Sequence, residues 1–164
     1  MLKIGLLSDT HGFWDDKFHK YLKHCDEIWH AGDIGDINVI DKLSEITTVK
    51  AVYGNIDNHI IRAEFQEDVV KTYGENRILM THIGGKPFSY NKTSRVKIKQ
   101  YHPNVFICGH SHICKIMHDN QNKLLFINPG AAGNKGFHKV RTLVRFDLTK
   151  QKIQNLEVVE LGTR

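Results

Sequence analysis

Three short apolar runs open this chain, and the segments between them carry helical periodicity. LKIGLL (2–7), EIWHA (27–31) and TVKAVY (48–53) each have the length of a buried strand. Trp14, Phe18, Tyr21 and Leu22 recur at helical spacing across 14–24. Residues 36–45 suit a second helix, with Asp36 as its N-cap. This alternation of strand and helix predicts a parallel sheet joined by right-handed crossovers, which already excludes an all-helical bundle and a pure antiparallel sandwich.

The rhythm then changes. Val69–Tyr73 and Arg77–Thr81 flank Gly74-Glu-Asn and read as a hairpin. A helix is expected over 89–102, stopped by Pro103, and a strand over 104–108. Segments 114–118 and 124–128 flank the turn Asp119-Asn-Gln-Asn, and 142–147 and 152–160 make a last hairpin. The second half is therefore expected to be richer in antiparallel strands. No repeat, low-complexity tract or linker interrupts the 164 residues, so one domain spanning 1–164 is expected.

Five of the apolar runs end in the same way. After LKIGLL come Asp9 and His11; after EIWHA comes Gly32-Asp33; after TVKAVY comes Gly54-Asn-Ile-Asp57. RILM is followed by His82, and VFIC by Gly109-His110-Ser-His112. The carboxyl ends of strands are where open α/β sheets bind ligands. Taken singly, an Asp there is an ordinary helix cap and Gly-Asn-x-Asp an ordinary turn. With Asp57 set aside, seven oxygen and nitrogen donors, each beside a glycine or small residue, are too many for coincident turns. His110 and His112 are two apart, so on an extended chain both would face one side.

Two carboxylates among several imidazoles are costly to bury unless a cation pairs them. The donors include no thiolate, which suits Mn, Fe, Zn or Ni and argues against a cysteine-based structural zinc site. Seven donors exceed the four of one tetrahedral site, so two metals fit the count better. Two-metal sites serve displacements at phosphorus.

These blocks in order, Asp-x-His, Gly-Asp, Gly-Asn-x-Asp, His and Gly-His-x-His, resemble the calcineurin-like metallophosphoesterase superfamily. The short length, Ser8-Asp-Thr-His-Gly, Gly54-Asn-Ile-Asp and Asn128-Pro-Gly are similar to its YfcE-type phosphodiesterase branch. The resemblance implies an α/β fold: a two-sheet β-sandwich of mixed strands flanked by helices. It implies a dinuclear metal-dependent phosphoesterase that hydrolyses phosphodiester bonds of small molecules through a metal-bridging hydroxide. Asp9, His11 and His112 would hold the first metal, Asn55, His82 and His110 the second, and Asp33 would bridge them. Asn55 would also lie beside the phosphate, and Asp57 would support the site from behind. Two divalent ions per chain are expected, manganese first, with nickel, iron or zinc as alternatives. Relatives of this type form dimers or tetramers.

Two departures from the family pattern matter. Many relatives carry a histidine, a candidate proton donor, where this chain has Ile56, so leaving groups that need little protonation are favoured; His59 is a weaker candidate for that role. After Asn128-Pro-Gly this chain continues Ala131-Ala-Gly-Asn-Lys-Gly-Phe-His, not the branch's usual Ser and Pro-Arg. Arg62, Lys135 and His138 are candidates for reaching a substrate anion. His30, on a strand, is expected to be buried structure.

Composition narrows the partners. The net charge is +5, but the basic residues are scattered, and Lys92, Arg95, Lys97 and Lys99 read as a solvated helix face. Nucleic acid is therefore not expected as a partner, although a nuclease is one alternative function. A non-catalytic metal-binding scaffold of the same fold is the other. Three cysteines without a Cys-x-x-Cys fit reduced thiols, and no stretch approaches the ~18 apolar residues of a membrane span. The opening apolar run is too short for a signal peptide, so a cytoplasmic protein with no membrane partner and a small phosphate-ester substrate is expected. The particular substrate, the native metal and the choice between diester and monoester are not legible.

Overall fold

The computed structural model describes all residues, Met1–Arg164. Its first half follows the expected alternation: β1 (Leu2–Leu7), α1 (Asp16–Leu22), β2 (Glu27–His30), α2 (Ile37–Ser44) and β3 (Thr48–Ala51). Asp15 and Asp36 cap α1 and α2, accepting from the amides of Lys17 and Asn38. A short helix that the periodicity does not reveal, α3 (His59–Glu64), comes next. It has a single buried side chain, Ile61, and depends on Asn58, whose side chain accepts from two of its first amides.

The second half contains β4 (Asp68–Tyr73), β5 (Asn76–Thr81), β6 (Gly85–Lys86), β7 (Ser89–Tyr90), α4 (Lys92–Tyr101), β8 (Val105–Ile107), β9 (Cys114–Asp119), β10 (Leu124–Pro129), β11 (Val140–Leu148) and β12 (Ile153–Thr163). The helix expected from 89 begins only at Lys92, because 89–90 pair with 85–86 in a small hairpin and Asn91 caps the helix. At its other end His102 turns left-handed, φ 46°, just before Pro103, which removes the helical option.

One sheet has the order β12-β11-β1-β2-β3, the other β4-β5-β8-β10-β9. In the first, β1, β2 and β3 are parallel, as expected. In the second, the expected hairpins β4-β5 and β9-β10 form antiparallel pairs at the two edges. Its centre, β5-β8-β10, is parallel. The sequence alone does not predict this centre, since β8 pairs with strands distant in sequence, which local pattern does not disclose.

Alternation along each strand builds three buried layers. Ile4 and Leu6 of β1 point inward with Trp29, and meet Ile78, Met80, Val105 and Ile107 of the other sheet. Leu7 and Ile28 point outward to Phe18, Leu22, Val39 and Leu43 of α1 and α2. Leu79, Phe106 and Phe126 cover the far face with Ile98 of α4. The result is a two-sheet sandwich with helices on both outer faces, as the resemblance implied. No helix is long and apolar enough to cross a membrane.

His30 closes β2 in full burial, as expected. Its Nδ1 accepts from the Gly32 amide at 3.2 Å, so the ring proton sits on Nε2, 2.9 Å from Thr10 Oγ1. Thr10 Oγ1 in turn donates to the Ile34 carbonyl. The imidazole thus ties the turn after β1 to the turn after β2. Burial pushes its pKa from 6.5 down to about 4, against the pull of the Asp57, Asp9 and Asp33 carboxylates. The unfolded imidazole therefore binds its proton first as pH falls. Its contribution to stability is complete above pH ~6.5 and is lost as the pH drops toward 4, by up to about 3 kcal/mol. Denaturant titrations of the metal-free protein between those limits should show this slope, and His30→Gln should remove it. An identical slope in the variant would contradict the assignment.

Candidate metal centre

The loops after β1, β2, β3, β5 and β8 meet at one rim of the sandwich. These are the carboxyl ends of parallel strands from both sheets, where the sequence pattern expects them. Asp9, His11 and His112 form one group whose ligand atoms lie within 4.8 Å of one another; Asp33, His82 and His110 form a second. Asp33 faces both. Its Oδ1 is 3.1 Å from His82 Nε2, and its Oδ2 is 3.7 Å from His11 Nε2 in the other group.

Five of these residues hold left-handed backbone: Asp9 (φ 55°), His11 (50°), Asp33 (52°), His110 (68°) and His112 (58°). Each costs roughly 1–2 kcal/mol relative to ordinary backbone. The extended spacing expected for His110 and His112 is thereby corrected. The chain turns at each, and the two imidazoles enter different groups instead of lying side by side. The strain is held by surrounding hydrogen bonds. Asn128, buried, donates to the Gly109 carbonyl at 2.8 Å and to Ser111 Oγ at 3.1 Å, and accepts from the Gly130 amide. Asp9 Oδ2 accepts from Ser8 Oγ at 2.6 Å and from the His110 amide at 3.1 Å. Sequence reasoning gave Asn128 no role; its position in Asn-Pro-Gly was the available signal.

Close approach demands glycine at two places. A Cβ on Gly54 would collide with the Asp33 carboxylate, and one on Gly109 with Ser8 Oγ and Asp9 Oδ2. Asp57 is buried and touches neither metal group. Its carboxylate accepts from the amides of Gly35 (2.7 Å), Gly54 (2.7 Å) and Ile34 (3.2 Å), clamping the loop after β2 to the loop after β3. Asn55 is exposed and lines a cleft together with His82. Ile56 is 46% exposed and offers no proton. His59 is exposed at the start of α3.

The donor chemistry fits metal. Asp9 Oδ1 and His82 Nε2 are both buried without a hydrogen-bond partner. His82 Nδ1 lies 2.8 Å from the Ala31 carbonyl and so carries a proton, which turns the Nε2 lone pair toward Asp33. Burial opposes charge on this ring, but contact with Asp33 and the field of Asp9 win, and its pKa is raised. The pocket therefore asks for positive charge between Asp33 and His82. Burial and the nearby His112 and Lys135 lower the pKa of His11 despite Asp33 and Asp9, keeping its nitrogen free to bind.

The segment after Asn128-Pro-Gly packs over the first group. The Ala132 and Gly133 amides donate to the Ser8 and Asp9 carbonyls. His138 sets its ring edge against His112, centroids 5.3 Å apart, and its Nε2 lies 2.9 Å from the Gly133 carbonyl. The Lys92–Lys99 face is largely solvated, as expected, with Lys97 paired to Asp68.

The fold and the paired carboxylate–imidazole groups at its rim agree with the family that comparison with known proteins identifies. The calcineurin-like phosphoesterase superfamily domain matches residues 2–151, and this chain belongs to that family. A probable metallophosphoesterase of Methanocaldococcus jannaschii is 32% identical over 139 residues, covering 78% of this chain and 67% of that protein. Among solved structures, an archaeal phosphodiesterase superposes with a TM-score of 0.77 at 22% identity, covering 98% of this chain and all of that one. Vps29 of Chaetomium thermophilum gives 0.76 at 18% identity, covering both chains fully. Zinc-bound Vps29 of Entamoeba histolytica gives 0.76 at 16%, covering 97% of this chain and 99% of that one. At such identities these structures speak for the fold alone.

Proposed function

We propose that this chain is a hydrolase of small-molecule phosphodiesters that works with two divalent metal ions, manganese first among them. The observation that carries this is the position of Asp33, whose two carboxylate oxygens face imidazoles of two separate ligand groups. Asp9, His11 and His112 would hold one ion, and His82, His110 and Asn55 the other, with Asp33 shared. Ions held there would supply Lewis acidity, making water a better nucleophile near neutral pH and polarising phosphoryl oxygens.

The remaining work belongs to the chain. Its left-handed turns and glycines keep the donors in place before substrate arrives, so little reorganisation is left for the reaction. Asn55 would touch the phosphate, a reading supported by its exposure in the cleft that His82 also lines. With Ile56 where a proton donor would stand, the leaving group departs best as a stabilised anion, which favours aryl esters. The substrate is a soluble small molecule met in the cytoplasm, and the protein is a homo-dimer or homo-tetramer.

The test is hydrolysis of bis(4-nitrophenyl) phosphate and 4-nitrophenyl phosphate after loading metal-free protein with Mn, Ni, Zn or Fe. Metal-dependent turnover, faster on the diester, is expected. Two ions bound per chain with no turnover of either ester would overturn it in favour of an interaction scaffold.

A further inference from the structure

Beside Asn55 and His82 the rim opens into a cleft of about 450 Å³, lined also by Arg62, Asn91, Thr93, Lys97 and the Glu67 carboxylate, which lies 3.8 Å from Lys97 Nζ. Arg62 stands out there for how it is held. Its guanidinium carbon lies 4.6 Å from the Tyr53 ring centroid. Its Nε donates to the Asp57 carbonyl at 2.7 Å, and Nη2 to the carbonyls of Gly54 and Asn55 at 3.1 and 3.2 Å. Arg62 belongs to no ion pair, and Nη1 has no protein partner. The cleft's other cation is already compensated: Lys97 Nζ is 2.6 Å from Asp68 and 3.8 Å from Glu67.

A long cation is normally flexible, and ordering it costs entropy. Here that order is supplied by the ring and by three carbonyls before any ligand binds. Those carbonyls come from the loop that carries Asn55, so the guanidinium sits within one residue of a proposed phosphate contact. A planar, pre-ordered guanidinium whose Nη1 is left without a partner favours a carboxylate or phosphate.

We propose that this cleft is a subsite for a second anionic group on the substrate, a carboxylate or phosphate separate from the ester attacked, and that Arg62 selects for it. The proposal rests on the phosphoester reading of the adjoining centre. A purely structural Arg62, anchoring the loop, would affect every ligand of that centre alike. A selecting Arg62 affects the ratio between ligands with and without the extra anion.

The experiment measures two ratios on metal-loaded protein. Calorimetry compares 4-carboxyphenylphosphonate with phenylphosphonate, which are not hydrolysed. Kinetics compares 4-nitrophenyl 4-carboxyphenyl phosphate with 4-nitrophenyl phenyl phosphate. Wild type should favour the carboxylate in both, by about 10-fold, the scale of one charge-assisted contact. Arg62→Gln should bring both ratios to about one, and Arg62→Lys, which keeps the charge but loses the anchored planar group over Tyr53, should retain part of the preference. A binding ratio of one in wild type, or an unchanged ratio in Arg62→Gln, overturns the subsite whether or not the esters are hydrolysed. A carboxylate preference in binding without turnover of either ester keeps the subsite and removes the catalytic reading.

Discussion

Asp33→Ala should abolish both metal sites together and lower diester hydrolysis by at least about a thousandfold, a loss of roughly 4 kcal/mol in transition-state stabilisation. Asp33 is the only donor that faces imidazoles from both groups, His82 on one side and His11 on the other. It is buried, and the Ile56 amide donates to its Oδ1 at 3.1 Å, so its direction is fixed by the loop after β3. Although burial by itself disfavours its charge, contact with His82, the Ile56 amide and His11 lower its pKa, so the carboxylate stays ionised. Removing it leaves His82 and His11 without a shared ligand and with Asp9 alone as a nearby counter-charge. His112→Ala is the contrast, since His112 belongs to the first group only, and should deplete one ion while the other stays. Metal content by mass spectrometry beside turnover separates the two variants. An Asp33→Ala protein that kept both ions, or a His112→Ala protein that lost both, would contradict the arrangement.

Asp57→Ala should act on stability instead. It removes a buried carboxylate that satisfies three amides, from Ile34, Gly35 and Gly54. Unsatisfied buried donors cost about 1–3 kcal/mol each, and relaxation shares part of that, so a loss of about 3–5 kcal/mol is expected. For a chain of this size that is a fall in Tm of roughly 10–15 °C. Asp57→Asn keeps one acceptor and should lose less. Because the clamp joins the loops bearing Asp33 and Asn55, activity should recover in part under excess metal. An Asp57→Ala protein with unchanged Tm and no turnover would instead place this carboxylate at the chemistry.

The way this site is built explains which parts of it could be read from sequence. Strand ends were legible because each apolar run stops abruptly at a glycine or small residue beside a polar donor, as Ile107-Cys108-Gly109-His110 does. The first sheet was legible because its parallel strands are separated by helices of the right length. The parallel centre of the second sheet was not, because β8 pairs with β5 and β10 across long stretches of chain. Nor was α3, whose 6 residues bury a single side chain and carry no periodic signal. The left-handed backbone of Asp9, His11, Asp33, His110 and His112 was hidden because local propensity disfavours it, and only contacts from elsewhere hold it. Asn128 acts through amides and carbonyls brought close by the fold, so residue type alone could not assign it, whereas the supporting role of Asp57 came from the family resemblance and its three amide partners only from the fold. Arg62 acquires its meaning only once Tyr53 and three carbonyls are seen around it.

The most direct measurement is anomalous diffraction from crystals of the full chain grown or soaked with manganese. Two ions are predicted, one among Asp9, His11 and His112, and one beside His82, His110 and Asn55, with Asp33 touching both. A single ion, or two ions that do not share Asp33, would contradict the account.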